Sequence, residues 1–113
     1  MKMLNILMKK ICRSKENITV KEMLEIIKTN DNAVLLDVRS TQEYKEGHIR
    51  GSINIPVYDI EKEAPKKLDK NSIIIVYCSA GIRSKRALQI LKKQGYKNLY
   101  NIEGGIENLW MKY

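Results

Sequence analysis

The chain has 113 residues, 43% hydrophobic and 30% charged, which suits one soluble globular domain and excludes a disordered or membrane-embedded chain. Its two cysteines and single histidine exclude a disulfide framework and predict no metal site. The net charge of +8, from 21 basic and 13 acidic residues, is assigned to a lysine-rich solvated surface, and we expect no nucleic-acid partner because no segment interleaves aromatic residues with Lys and Arg.

Residues 1–16 are predicted to form a basic N-terminal arm, with apolar residues at the spacing of a short amphipathic helix. Its apolar stretch is shorter than that of a signal peptide and far shorter than the roughly 20 residues that cross a bilayer. We therefore expect no stable membrane association. Cys12, which lies in this arm, has no partner motif and is interpreted as incidental, the alternative being a resolving cysteine. The remaining residues 17–113 are predicted to form one domain.

From Ile18 onwards, strand-like runs alternate with helix-like segments. Extended segments are predicted at 18–20, 33–36, 52–55, 72–77 and 98–102. Helices are predicted at 21–28, 41–46, 84–94 and 106–111, and the segment around Pro65 is a polar connection. Thr19 and Glu22 are expected to form a capping box, and Gly47 to end the second helix. The uncharged run 72–77 is typical of a strand buried on both faces, so we expect a parallel α/β sheet with helices on both sides.

Polar and charged residues follow the carboxyl ends of two predicted strands. In parallel α/β sheets, ligands bind just beyond the carboxyl ends of the strands. The first is DVR at 37–39, and the second is CSAGIRS at 78–84, which joins the most strand-like run to the strongest predicted helix. So short a connection turns backbone N–H groups towards one point, next to the free N–H groups of the first helical turn. We expect these groups and Arg83 to favour the thiolate of Cys78. The alternative is that Cys78 is a small buried residue that ends a strand.

Three segments together resemble the rhodanese family, in its single-domain form, over residues 17–111. They are LLDVR at 35–39 with EY at 43–44 and GHI at 47–49, then GSINIP at 51–56, then CSAGIRS at 78–84. The resemblance implies a rhodanese-type three-layer α/β/α sandwich around a five-stranded, mainly parallel sheet. It also implies a sulfurtransferase that moves a sulfane sulfur from thiosulfate or a persulfide donor to cyanide, a thiol or a protein acceptor. The implied intermediate is a persulfide on Cys78.

The site residues follow from the motif and its position. Cys78 is the predicted nucleophile. The predicted substrate-binding residues are Ser79, Ala80, Gly81, Ile82, Arg83 and Ser84. Their backbone N–H groups are expected to hold the persulfide, Gly81 to permit the turn, and Arg83 to attract the anionic donor. Ser84 is also predicted to be the N-cap of the following helix.

Two further charged residues and the histidine are given supporting or structural roles. Asp37 and Arg39 are predicted to order the neighbouring loop, with Arg39 pairing with Glu43 four positions along the chain. His48, in the Gly-His-Ile turn, is interpreted as a histidine bonded to the backbone rather than as a catalytic group. We expect no cofactor, a monomer or weak dimer, and a cytoplasmic location, where an unpaired thiol survives.

Two other functions remain open at this point. Cysteine phosphatases and arsenate reductases share the combination of loop and helix, but their signature places one more residue between cysteine and arginine. The shorter loop is expected to admit a single sulfur atom and to be too tight for phosphate. A sulfur-carrying or regulatory binding module without turnover would have the same motif as an enzyme. Ser79 stands where thiosulfate-using relatives often have a basic residue, which predicts weaker use of thiosulfate.

Overall fold

The structure, a computed structural model, describes residues 16–107. The predicted arm therefore lies outside the described residues except for Glu16, and so does most of the helix predicted at 106–111. The strands are β1 Asn17–Ile18, β2 Ala33–Asp37, β3 Ile53–Asn54, β4 Ile73–Tyr77 and β5 Leu99–Ile102. The α-helices are α1 Val20–Thr29, α2 Thr41–Glu46, α3 Ile60–Lys67 and α4 Ile82–Lys93, and a 3-10 turn, Val57–Asp59, precedes α3.

The strands form one five-stranded sheet in the order β1-β5-β4-β2-β3. Every strand pairing within residues 16–107 is parallel. The central pair, β2 and β4, is in register along its whole length, so Asp37 is paired with Tyr77 at the carboxyl end. This parallel arrangement brings the segments that follow β2 and β4 to the same edge of the sheet.

Alternate residues of the central strands face two separate apolar layers, as the pleat of a strand requires. Leu36 and Val76 pack with the buried faces of α3 and α4, while Leu35 and Ile75 pack with that of α1. Both sides of the sheet are thus covered by helices, which is why β2 and β4 are continuously apolar. The predicted three-layer α/β/α sandwich is confirmed.

Helix α3 lies where the sequence predicted only a polar connection, and it contains Pro65. Proline has no backbone N–H, so the carbonyl of Glu61 loses its usual partner in the helix. The side chain of Gln94 replaces that partner by donating a hydrogen bond to Glu61 O at 2.7 Å. Ile60 and Ala64, one turn apart, are fully buried. Tertiary contacts therefore stabilise a helix that local propensity disfavours.

Helix capping follows the sequence in some places and departs from it at α4. The predicted capping box of α1 is present, with Thr19 Oγ1 accepting from Glu22 N at 3.1 Å and Glu22 Oε1 from Thr19 N at 3.0 Å. The prediction that Ser84 caps α4 is wrong, because the helix begins at Ile82 and its N-cap is Gly81.

None of the helices within residues 16–107 is long and apolar enough to cross a membrane.

Candidate active site

The loop between β4 and α4 surrounds the thiol of Cys78. Cys78 directly follows β4 and is 1% exposed. Its Sγ accepts hydrogen bonds from Gly81 N at 3.0 Å and from Ser84 N at 3.4 Å. The first turn of a helix leaves backbone N–H groups without intrahelical partners, and Ser84 N is one of these. The sulfur is therefore held by the loop and the helix start together, and it is not simply packed among apolar side chains.

The backbone of the loop depends on two features of its sequence. Gly81 has φ +109°, a conformation that side chains rarely adopt, although a Cβ there would meet nothing within 4 Å. Ser84 is fully buried, and its Oγ donates to Gly81 O at 3.1 Å and lies 3.5 Å from Cys78 Sγ. The expected need for glycine at position 81 is confirmed, and Ser84 acts from inside the helix rather than as its cap.

A second segment packs directly beneath the loop. Ile106 N donates to Cys78 O at 2.8 Å, and Glu107 N donates to Ser79 O at 3.2 Å. A Cβ on Gly105, where φ is +67°, would lie 2.4 Å from both of these carbonyl oxygens. Gly105 is therefore required for the close approach of two backbone segments. Sequence reasoning assigned it only to a turn, and the Gly-Gly pair at 104–105 was the available signal.

Arg83 is bound by a carboxylate at the outer side of the loop. Its Nη1 is 2.6 Å from Glu43 Oε1, and its Nη2 is 3.0 Å from Glu43 Oε2. Ser79 Oγ joins the same group, 3.2 Å from Arg83 Nη2 and 3.3 Å from Glu43 Oε2. The two charged side chains are about one-third exposed, at 33% and 34%. Glu43 is thus a residue of this site that sequence reasoning assigned elsewhere.

The pairing of Glu43 and Arg83 shifts both groups towards their charged forms. The hydrogen bond from Arg83 lowers the pKa of Glu43 well below its ordinary value, against the opposing effect of partial burial. The hydrogen bond to Glu43 raises the pKa of Arg83, again against the opposing effect of partial burial. Glu43 and Arg83 therefore form an ion pair against Ser79, at the outer side of the loop that surrounds the thiol.

The predicted pairing of Arg39 with Glu43 is wrong. Arg39 is bound instead by Asp37, with Arg39 Nη2 and Asp37 Oδ2 2.7 Å apart and both side chains buried. Arg39 Nη2 also donates to Gly47 O at 2.6 Å. A buried guanidinium requires a buried carboxylate, which only Asp37 offers here, because Glu43 lies on the first turn of α2 and faces the 78–84 loop. The Asp37–Arg39 pair thus ties the end of β2 to the end of α2.

Two other residues of the loop, and the histidine, lie at exposed positions. Ala80 and Ile82 are exposed at the outer side of the loop. His48 is bonded to the backbone as predicted, with Nδ1 2.7 Å from Tyr44 O and its ring stacked on that of Tyr44. Within residues 16–107 there is no group of three or more His, Cys, Asp or Glu side chains that could hold a metal ion.

Curated relatives match most of this chain. A tRNA uridine(34) hydroxylase from Buchnera aphidicola is 40% identical over 83% of the chain and 33% of its own length. A putative sulfur carrier protein, YrkF, from Bacillus subtilis is 33% identical over 80% of the chain and 49% of its own length. The thiosulfate sulfurtransferase PspE from Escherichia coli is 39% identical over 67% of the chain and 73% of its own length. The chain thus spans half or less of the first two proteins.

Solved structures and a family description agree with the fold. A rhodanese-related protein from Thermoplasma volcanium has a TM-score of 0.75 and 32% identity, covering 86% of this chain and 92% of that one. The human single-domain sulfurtransferase TSTD1 has a TM-score of 0.74 and 25% identity, covering 87% and 97%. The sequence description of the rhodanese-like domain matches residues 19–112. The chain therefore belongs to the rhodanese-like domain family.

Proposed function

We propose that the chain is a sulfurtransferase whose Cys78 accepts a sulfane sulfur and passes it on. Membership of the rhodanese-like family, and similarity to a protein named thiosulfate sulfurtransferase and to one named sulfur carrier, support rhodanese-type sulfur chemistry. The observation that carries the proposal is the pair of backbone hydrogen bonds from Gly81 and Ser84 to Cys78 Sγ. Fixed N–H donors of this kind stabilise an anionic sulfur without needing a titratable side chain.

The first half of the reaction forms a persulfide. The Cys78 thiolate attacks the outer sulfur of the donor, a new S–S bond forms, and the old S–S bond breaks. The electron pair of the broken bond leaves with the rest of the donor, as sulfite from thiosulfate or as a thiolate from a persulfide. The leaving group gains the unit of negative charge that the Cys78 thiolate brings, and the outer sulfur keeps the charge it carried in the donor, so total charge is conserved.

The second half returns the thiol to its starting state. A thiolate or cyanide attacks the outer sulfur of the persulfide, and the S–S bond electrons return to Cys78 Sγ. The products are a new persulfide or thiocyanate. Neither half requires a general base when the attacking sulfur is already ionised. This fits a site in which the one histidine, His48, is occupied by Tyr44 O.

The loop favours a small guest over a large one. Four residues separate Cys78 from Arg83, and two N–H groups of this short turn already point at Sγ. A guest atom must therefore be close to the size of sulfur to share the same donors. We propose a reducing, cytoplasmic setting, because the reaction needs Cys78 as a free thiol and a thiol or protein as acceptor.

Intact mass measurement tests the proposal directly. The protein is incubated with thiosulfate or with hydroxyethyl persulfide, desalted and weighed with and without dithiothreitol. We expect a gain of one sulfur atom that the reductant removes. The chain offers a matched control in its second cysteine: Cys12→Ser should keep the adduct, and Cys78→Ser should lose it.

Two activity assays then distinguish the alternatives. Production of thiocyanate distinguishes an enzyme from a carrier, and hydrolysis of an aryl phosphate identifies a phosphatase. Steady production of thiocyanate from cyanide, dependent on Cys78, is expected of the enzyme. An adduct that dithiothreitol removes, without steady production of thiocyanate, would indicate a carrier. No adduct with either donor, or hydrolysis of an aryl phosphate that Cys78→Ser abolishes, would contradict the proposed function.

A further inference from the structure

We propose that Glu43 selects sulfur donors by charge, so that the site uses a monoanionic persulfide in preference to dianionic thiosulfate. This inference rests on the proposed function and concerns the first half of the reaction. Arg83 is the one charged side chain in the segment 78–84. Its Nη2 lies 3.2 Å from Ser79 Oγ, on the residue that directly follows Cys78. Among the side chains of this segment, only Arg83 can attract an anionic donor by its charge. The strength of that attraction depends on the carboxylate that pairs with Arg83.

Both terminal nitrogens of Arg83 already donate hydrogen bonds to the protein. Each terminal nitrogen faces one oxygen of Glu43, at 2.6 Å and 3.0 Å, in the two-point geometry that guanidinium and carboxylate groups favour. Ser79 Oγ takes a further contact with Nη2 at 3.2 Å. The pair carries no net charge, so it attracts a second anion far less than a free guanidinium would. The charge that thiosulfate would use is largely cancelled.

The carboxylate is fixed in this position by its own helix. Ser40 N and Ser40 Oγ donate to Glu43 Oε1 at 3.1 Å and 2.9 Å, and Glu43 N donates to Ser40 Oγ at 3.2 Å. This is a capping box at the start of α2. A carboxylate held from two sides does not swing away to release Arg83 without breaking the helix cap. The neutralisation is therefore a built-in property of the site.

The capping box allows the charge of Glu43 to be removed without changing the helix start. Capping boxes accept glutamine as well as glutamate at this position. Glu43→Gln should therefore keep the start of α2 and a hydrogen bond to Arg83 while removing one negative charge. Arg83→Gln does the reverse and leaves Glu43 unneutralised. The double variant removes both charges and restores a neutral pair.

The experiment measures the second-order rate constant for persulfide formation on Cys78, by quenching and intact mass, in the wild type and these three variants. The two donors are thiosulfate, with two negative charges, and hydroxyethyl persulfide, with one. Because Coulomb attraction scales with donor charge, we expect Glu43→Gln to raise the rate by about tenfold for thiosulfate and about threefold for the persulfide at low salt. Arg83→Gln should lower both, thiosulfate more strongly, and the double variant should return to the wild-type ratio of the two rates.

The ratio of the two donors distinguishes charge selection from a structural role. A residue that only holds the loop in shape would change both rates by the same factor, and salt would not alter the effect of its substitution on their ratio. We expect the advantage of Glu43→Gln with thiosulfate to shrink at high ionic strength. An unchanged ratio in Glu43→Gln, with a wild type that forms the persulfide, would overturn this inference and leave the proposed function intact. A wild type that forms no persulfide with either donor would overturn both.

Discussion

The neighbouring strands β2 and β4 end side by side, and their ends are used in opposite ways. At the end of β2, Asp37 and Arg39 bind each other and both side chains are buried. At the end of β4, the thiol of Cys78 is held by backbone N–H groups, and the charged pair beside it, Arg83 and Glu43, is about one-third exposed. The first end is closed by its own side chains. At the second end, a buried thiol lies behind a charged pair that is partly exposed to solvent.

Both are pairs of a carboxylate and a guanidinium, and we expect them to differ in their effect on stability because they lie at different depths. A buried pair contributes little net stability by itself, but removing one partner leaves a charge without water or counter-charge, which is costly. A pair that is one-third exposed is screened by solvent, and altering it costs little stability. We therefore expect changes at the β2 end to act on folding, and changes at the β4 end to act mainly on chemistry.

The largest effect is expected for Asp37→Asn, which breaks the buried pair while keeping the shape of the side chain. Asp37 receives hydrogen bonds from the backbone N and the guanidinium of Arg39. Removing its charge should lower the free energy of unfolding by about 3–5 kcal/mol, measured by urea titration. Asp59→Asn, at an exposed position, is the matched control and should change stability by no more than about 0.5 kcal/mol. Equal effects of the two substitutions would remove the distinction between the two strand ends.

A pair of glycine substitutions sharpens the comparison at the β4 end. Gly105→Ala places a Cβ 2.4 Å from the carbonyl oxygens of Cys78 and Ser79, whereas Gly81→Ala meets nothing within 4 Å. Both residues have positive φ, so each alanine carries a conformational cost of about 1–3 kcal/mol. Only Gly105→Ala must also push the backbone beneath the thiol aside. We expect it to lose more stability than Gly81→Ala in the same urea titration, and a reversed order would show that the close packing under the loop is unimportant.

The smallest stability effect is expected for Glu43→Gln. The pKa of Glu43 is lowered in the folded state by the hydrogen bond from Arg83. A lowered folded pKa contributes stability above the unfolded pKa, and this contribution is lost as pH falls through the folded pKa. The free energy of unfolding of the wild type should therefore exceed that of Glu43→Gln by less than about 1 kcal/mol near neutral pH, because the pair is partly exposed. Urea titrations at several pH values should show this gap narrowing below about pH 4. A gap that widens at low pH would contradict the pairing with Arg83.

Much of the architecture could be predicted because it depends on patterns among residues that are close together in the sequence. The apolar runs at 33–36 and 72–77 identify strands buried on both faces, and the periodicity of residues 84–94 identifies a helix. The capping box at Thr19 and the glycine required at position 81 are also local, since each depends on residues within three positions in the chain. These features need no knowledge of distant contacts.

Other features were decided only by the folded chain. Helix α3 accommodates Pro65, and the side chain of Gln94, 33 positions along the chain, donates the hydrogen bond that Glu61 O would otherwise lack. Gly105 leaves no room for a side chain, beyond the constraint of its positive φ, because it packs against the loop that follows β4.

The sequence by itself determined the layered α/β fold, the position of Cys78 at a strand end and the glycine of its loop, because short-range backbone geometry and hydrophobic periodicity are properties of neighbouring residues. Only the tertiary structure decided which carboxylate binds which guanidinium. Spacing along the chain suggested Arg39 for Glu43, but burial assigned Arg39 to Asp37 and left Glu43 beside Arg83. The physical reason is that the strength of an ion pair depends on solvent exposure and on the approach of separate elements, and neither is encoded in sequence distance.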